Sequence, residues 1–204
     1  MSSITESTFA DSRRRLIQAA TEAFMEEGYR VSVERIAQRA GVAKQTLYNH
    51  FPNKDALFGE VVRRSTDNIL VALSGDEGGL RESLLRFSTA FRAKLLGDAG
   101  LAMFRALVAE LARFPDLAAA FVANGPAQTA RRLADFLRAA MDKGLLRRDD
   151  PDFAGEMLLG MLSGIERTRR LCGEAQLSPA AEVLRVTRIV DCFLGAYAPD
   201  RRAS

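Results

Sequence analysis

Residues 31–54, VSVERIAQRAGVAKQTLYNHFPNK, constrain this chain more than any other stretch. Val33, Ile36, Ala37 and Ala40 recur at helical spacing and give a short helix one apolar stripe. Ser32 stands before that helix as an N-cap, and Gly41 follows it as a left-handed C-terminal residue. A second run opens at Lys44 and ends near Phe51, because Pro52 disfavours helical geometry at the residue before it. At about 100° per residue, Leu47 and Phe51 share the inward side of this run. Gln45 and Asn49 then point the opposite way, with Thr46 and Tyr48 on the flanks. A face of amides, a hydroxyl and a phenol, bordered by Lys44, His50 and Lys54, fits a groove of double-stranded DNA. Amides pair bidentately with adenine edges, while Lys, Thr, Tyr and His hold phosphates. The pattern is a helix-turn-helix, and its candidate DNA contacts are Ser32, Lys44, Gln45, Thr46, Tyr48, Asn49, His50 and Lys54.

The chain around this stretch is helical. A first helix is expected from near Asp11 or Ser12 to Glu27, with Leu16, Ile17, Ala20, Ala23 and Phe24 inward, after a loose polar arm over residues 1–10. Arg13, Arg14 and Arg15 at its start read either as DNA-backbone contacts or as plain surface charge. Asn53 caps a fourth helix that runs to about Leu73, and its N-terminus beside Lys54 suits a phosphate. Gly and Pro punctuation after the break at 74–79 then predicts helices over 80–96, 101–113, a short one to 123, 127–143, 152–171 and 180–197. No β-strand candidate exceeds a few residues, so the expected fold is all-α. Its domains are an N-terminal arm and helix-turn-helix over 1–53 and a larger helical body over 54–204.

The two last helices carry more apolar surface than one packing face requires. Met157, Met161 and Gly164 on the first, and Val186, Val190 and Phe193 on the second, are the expected contacts of a two-fold homodimer. The alternative is burial within one subunit. Cys172 and Cys192 make no disulfide framework and read as small core residues in a reducing cytoplasm, or as a redox pair.

Composition excludes more than it proves. A net charge of +3 is too small to imply nucleic acid, but residues 30–54 hold five cations and one anion. No secretory signal is apparent, and the longest apolar run, near Met157 to Ile165, falls short of the about 20 residues a membrane span needs. The single histidine, His50, lies on the second helix of the helix-turn-helix, leaving none for a triad elsewhere. No phosphate loop or metal-ligand cluster appears, so neither an enzyme nor a cofactor is expected. Glu156, Glu166 and Glu182 read as solvent-facing or dimer-edge charges.

Residues 29–58 also resemble the DNA-binding module of TetR-family transcriptional regulators. The likeness is carried by Gly41-Val42, Thr46-Leu47-Tyr48, His50-Phe51, Asn53-Lys54 and Leu57-Phe58, and in extended form covers residues 12–62. Ala43 departs from it, since many members carry Ser there as the cap of the recognition helix. Glu110 to Phe121, ELARFPDLAAAF, more loosely resembles the ligand domain of a multidrug- and stress-type subgroup. The resemblance implies a cytoplasmic homodimer on a palindromic operator, and a body that encloses a small-molecule effector whose binding moves the fourth helix. Phe91, Met103, Phe104, Leu107 and Phe121 are the candidate effector-lining residues, with Arg105, Glu110 and Gln128 facing either pocket or solvent. An effector-released repressor is thus the expected function. The alternative is an architectural DNA-binding protein, which would leave unexplained the about 140 residues beyond the about 50–60 of the DNA-reading module.

Overall fold

Local punctuation sets nearly every helix boundary of this chain. A computed structural model describes residues 2–73 and 78–199, with side chains from Phe9 onward. Among these residues there are ten α-helices and no strand. They are α1 (Ser2–Glu27), α2 (Val33–Arg39), α3 (Lys44–His50), α4 (Lys54–Leu70), α5 (Gly79–Leu96), α6 (Asp98–Leu111), α7 (Pro115–Asn124), α8 (Pro126–Asp142), α9 (Pro151–Leu171) and α10 (Pro179–Ala196). A 3-10 turn, Val71–Leu73, ends α4. Residues 74–77 of the expected break lie outside the described residues.

The caps act as their chemistry dictates. Ser32 Oγ accepts the amide of Arg35 at 3.2 Å, and Asn53 Oδ1 accepts that of Ala56 at 2.7 Å. Gly41 turns the chain out of α2 at φ 65°. Asp150 and Ser178 cap α9 and α10, each followed by proline at the first helical position, where its missing N–H costs nothing. The N-terminal arm is a correction. Instead of a loose segment, α1 continues back to Ser2, with no Gly or Pro to stop it. Its extension is tied down where Phe9 packs tilted against His50, ring centroids 3.9 Å apart, and where Ser12 Oγ donates to the Phe9 carbonyl at 2.8 Å.

The chain forms two compact units, residues 1–65 with 102–125 and residues 66–101 with 126–204. In the first, α1 to α4 enclose Leu16, Phe24, Ile36, Leu47, Phe51 and Phe58. Leu107 of α6 and Leu117 of α7 join that same core. Packing therefore places the α6–α7 pair with the helix-turn-helix, across the functional division expected at residue 53. In the second unit, Leu84 and Phe87 of α5, Leu133 and Leu137 of α8, Leu158 and Leu162 of α9 and Val190 and Phe193 of α10 share one core.

Helix α9 is bent. Gly164 has φ 44° and ψ −159°, a conformation closed to residues with a Cβ. A Cβ built there meets nothing within 4 Å, so it is the backbone and not the space that requires glycine.

Candidate nucleic-acid interface

The α2–turn–α3 frame is held from behind mainly by apolar contacts. Ile36, Ala37, Leu47 and Phe51 are buried against Leu16 and Ala20 of α1 and Leu57 of α4. Arg15 Nη1 reaches the Ala40 carbonyl at 3.2 Å, supplying a donor to the end of α2. On the outer side Lys44, Gln45, Tyr48 and Asn49 are exposed, and Thr46 is half-buried at the edge. Gln45 Nε2 donates to Asn49 Oδ1 at 3.1 Å, so the two candidate base-contacting amides form one connected patch. Lys44 pairs with Glu34 of α2, which raises the ammonium's affinity for its proton, and its Nζ lies 5.8 Å from the Tyr48 ring centroid.

Three of the candidate contacts have other employment in this structure. Ser32 serves as the cap of α2. Lys54 Nζ donates to the Tyr29 carbonyl and sits 4.3 Å from the Tyr29 ring centroid; burial lowers its pKa. His50 is a correction. The proton of Ser12 goes to the Phe9 carbonyl, so Ser12 Oγ accepts from His50 Nε2–H at 2.8 Å. The other ring nitrogen, Nδ1, is buried without a partner. With both nitrogens turned inward, His50 fastens α1 to the end of the recognition helix and offers neither nitrogen to a phosphate. Burial, then the nearby Arg13, lowers its pKa and keeps the ring neutral.

The residues that brace the module escape a reading of the sequence. Tyr29 donates its hydroxyl to Asp55 and packs edge-on against Phe58 and Phe114. Burial and Asp55 raise its pKa well above the ordinary phenol range. Arg30 pairs with the buried Glu110 of α6 at 2.7 Å. Glu60 of α4 accepts from Arg63 at 2.6 Å and Arg13 at 3.0 Å, and these guanidinium groups hold its carboxyl below the usual carboxylate range. Apart from Arg63, one helical turn from Glu60, each of these partners lies far away in sequence, where periodicity carries no signal.

The expected effector-lining residues fall in both units. Leu107 is buried in the core of the first, Met103 and Phe121 pack against that core, and Phe104 lies 6.5 Å from Phe121 between ring centroids. Phe91 stacks near Phe87 in the second unit. In that second unit a cavity of about 260 Å³ is lined by Leu70, Leu73, Arg132, Asp135 and Phe136, none of them among the five. Gln128 is engaged with Asp67 at 2.8 Å.

The expected subunit contacts also divide. Met157 and Gly164 are exposed and Met161 is half-buried, but Val186, Val190 and Phe193 are closed off inside the chain's own core. The apolar side chains that α10 leaves outside are Val183 and Leu184. α9 adds Phe153 and Ile165. Cys172 and Cys192 are both exposed and free, contrary to the core reading. Glu166 and Glu182 turn inward to Arg92 and away from solvent. Among the described residues no helix is long and apolar enough to cross a membrane.

Comparison with known proteins agrees with this arrangement. Residues 16–61 match the N-terminal domain of bacterial regulatory proteins of the tetR family, and residues 82–199 match the C-terminal domain of AefR-like transcriptional repressors. The transcriptional repressor Rv1474c of Mycobacterium tuberculosis is 27% identical over 188 residues, 87% of this chain and 96% of that protein. The transcriptional activator FasR of Mycolicibacterium smegmatis is 39% identical over 87 residues, which span 42% of this chain and only 36% of that protein. A crystal structure of a TetR-family regulator from Mesorhizobium loti superposes with a TM-score of 0.78 at 30% identity, covering 93% of this chain and 98% of the other. The flavonoid-responsive regulator FrrA superposes with a TM-score of 0.73 at 32% identity over the same shares. The outward amides of α3, the apolar frame behind them and a C-terminal half of the AefR-like kind thus lead to one conclusion: the chain belongs to the TetR family of bacterial transcriptional regulators, DNA-binding proteins built on a helix-turn-helix.

Proposed function

We propose that this chain works in the cytoplasm as a homodimeric repressor that leaves a palindromic operator when a small, largely apolar molecule binds. The observation that carries the DNA half is the exposed Gln45–Asn49 amide patch on a buried, capped frame. Gln45 and Asn49 read base edges, while Tyr48, Thr46 and Lys44 hold the backbone around them. Lys54 joins them once a phosphate replaces the Tyr29 carbonyl as its partner.

A second copy of the chain supports the geometry of an operator. Two recognition helices reach successive major grooves only when about 34–36 Å apart, and one chain presents only one of them. The outer faces of α9 and α10 offer Phe153, Met157, Ile165, Val183 and Leu184 for that pairing. The small-molecule half is supported by the AefR-like repressor match over residues 82–199 and by the likeness to a regulator named for its response to flavonoids. Flat aromatic polyphenols are accordingly the first effector class to try. Phe104 and Phe121, with Met103 and Leu107 of the same unit, are the side chains we assign to receive it.

The test is to select operator fragments with purified protein and then titrate effectors against the complex by mobility shift. By linkage, the operator must weaken effector binding by the same factor that the effector weakens operator binding. Effectors that bind free and operator-bound protein equally well would refute the release mechanism. A protein that selects no sequence would refute the regulator reading altogether.

A further inference from the structure

We propose that Arg92 of α5 is a positioning residue for subunit assembly: it holds α9 in its bent form and thereby sets the face that α9 and α10 present to a second copy of this chain. The inference rests on the homodimer reading above and goes beyond it by naming what shapes the contact.

Arg92 is 1% exposed, the largest of the fully buried side chains. Four of its hydrogen bonds reach three places. Nη1 donates to the Leu162 carbonyl at 2.6 Å, two residues before the bend at Gly164. Nη2 donates to Glu166 Oε2 at 2.8 Å, two residues after it. Nε and Nη2 clasp both oxygens of Glu182, at 2.6 and 2.8 Å, in the first turn of α10. One rigid guanidinium thus spans the break in α9 and ties both sides of it to the start of α10. In an unbroken helix the Leu162 carbonyl accepts from the amide of Glu166. A residue at φ 44° between the two disturbs that ladder, and Arg92 supplies a donor there.

The consequence lies on the outside. The neighbour of Glu166 in the chain is Ile165, and the neighbour of Glu182 is Val183; each is 64% exposed, more than any other large apolar side chain of α9 and α10. Fixing two carboxylates to one buried cation fixes the backbone that carries these two outward side chains. Gly160 and Gly164 of α9 face open ground, with nothing within 4 Å of where a Cβ would stand. A fork of fixed geometry is needed for this, since an ammonium on a flexible stem cannot hold three acceptors in set directions.

The experiment compares wild type with Arg92→Lys and, separately, with Glu166→Gln, which loosens the ion cluster at one carboxylate and adds no atom to the outer face. Sedimentation gives the dimer dissociation constant, thermal melting gives the stability of the fold, and hydrogen exchange reports on residues 160–168. Both variants are expected to exchange faster over that segment and to raise the dissociation constant by about tenfold or more, while retaining a cooperative melt. An unchanged dissociation constant in a variant that exchanges faster would overturn the proposal and leave Arg92 as a core ion. Should Arg92→Lys fail to fold, Glu166→Gln decides alone by the same criterion. A monomeric wild type at micromolar concentration would instead remove the homodimer reading, and this proposal with it.

Discussion

The recognition helix begins at a cap site that is built but empty. Ala43 has φ −70° and ψ 150°, against −75° and 152° at Ser32 and −60° and 154° at Ser178, both of which cap their helices through Oγ. Ala43 makes no such bond, and it is exposed, so a hydroxyl has room. Replacing a cap residue by Ala costs about 1 kcal/mol, with a range of about 0.5–2. The gain from Ala43→Ser should fall in the lower part of that range. The Thr46 amide, which the introduced hydroxyl would take, already donates to the Ala43 carbonyl at 3.0 Å. About 0.5–1 kcal/mol corresponds to a rise in Tm of roughly 1–4 °C for a chain of this size. Hydrogen exchange should slow over residues 44–50, and Ser32→Ala should lose about 1 kcal/mol as the reciprocal control. Operator affinity should increase at most about fivefold, the factor that 1 kcal/mol represents, and equally for all sequences. If Ala43→Ser melts no higher than wild type and exchange over α3 does not slow, the start of the recognition helix is not limited by its missing cap and the reasoning fails.

Gln45→Ala or Asn49→Ala should relax base preference by about 1–3 kcal/mol at the affected positions, measured by operator selection, whereas Tyr48→Phe should weaken binding uniformly. Because Gln45 and Asn49 share a hydrogen bond, the double variant should lose less than the sum of the singles. Glu60 stabilises the fold while ionised, so its contribution is complete above the ordinary carboxylate pKa of about 4.3 and is lost as pH falls through its depressed folded value. Acid unfolding of Glu60→Gln should therefore be less steep over that range than that of wild type, and equal slopes would contradict the assignment. On the subunit face, Ile165→Asp should yield a folded monomer by sedimentation and circular dichroism. Val190→Asp, at a position with no exposure, should fail to fold because it buries an unpaired carboxylate.

What is legible in the sequence is what neighbours along the chain determine. Ser32, Gly41, Asn53, Gly97, Pro115, Pro151 and Pro179 stop or start helices by local chemistry, so most helix ends can be placed to within a few residues. The division of faces on α3 follows too, since a seven-residue helix between Gly41 and Pro52 has one inward side, that of Leu47 and Phe51. The losses occur where the deciding partner is far away in sequence. The α10 stripe of Val186, Val190 and Phe193 is visibly apolar, but periodicity cannot tell whether α5 and α9 of the same subunit or a second copy covers it. His50 looks outward because Ser12 and Phe9 lie 38 and 41 positions earlier, on a segment whose helicity no cap announces. Glu166 and Glu182 look like surface charges because Arg92, 74 and 90 positions away, is needed to draw them in. A charge in a helical pattern is a statement about solvent only until its counter-ion is known. In this chain two carboxylates that the pattern puts on the surface, Glu166 and Glu182, meet a buried cation inside the second unit, while Ile165 and Val183 beside them stay exposed.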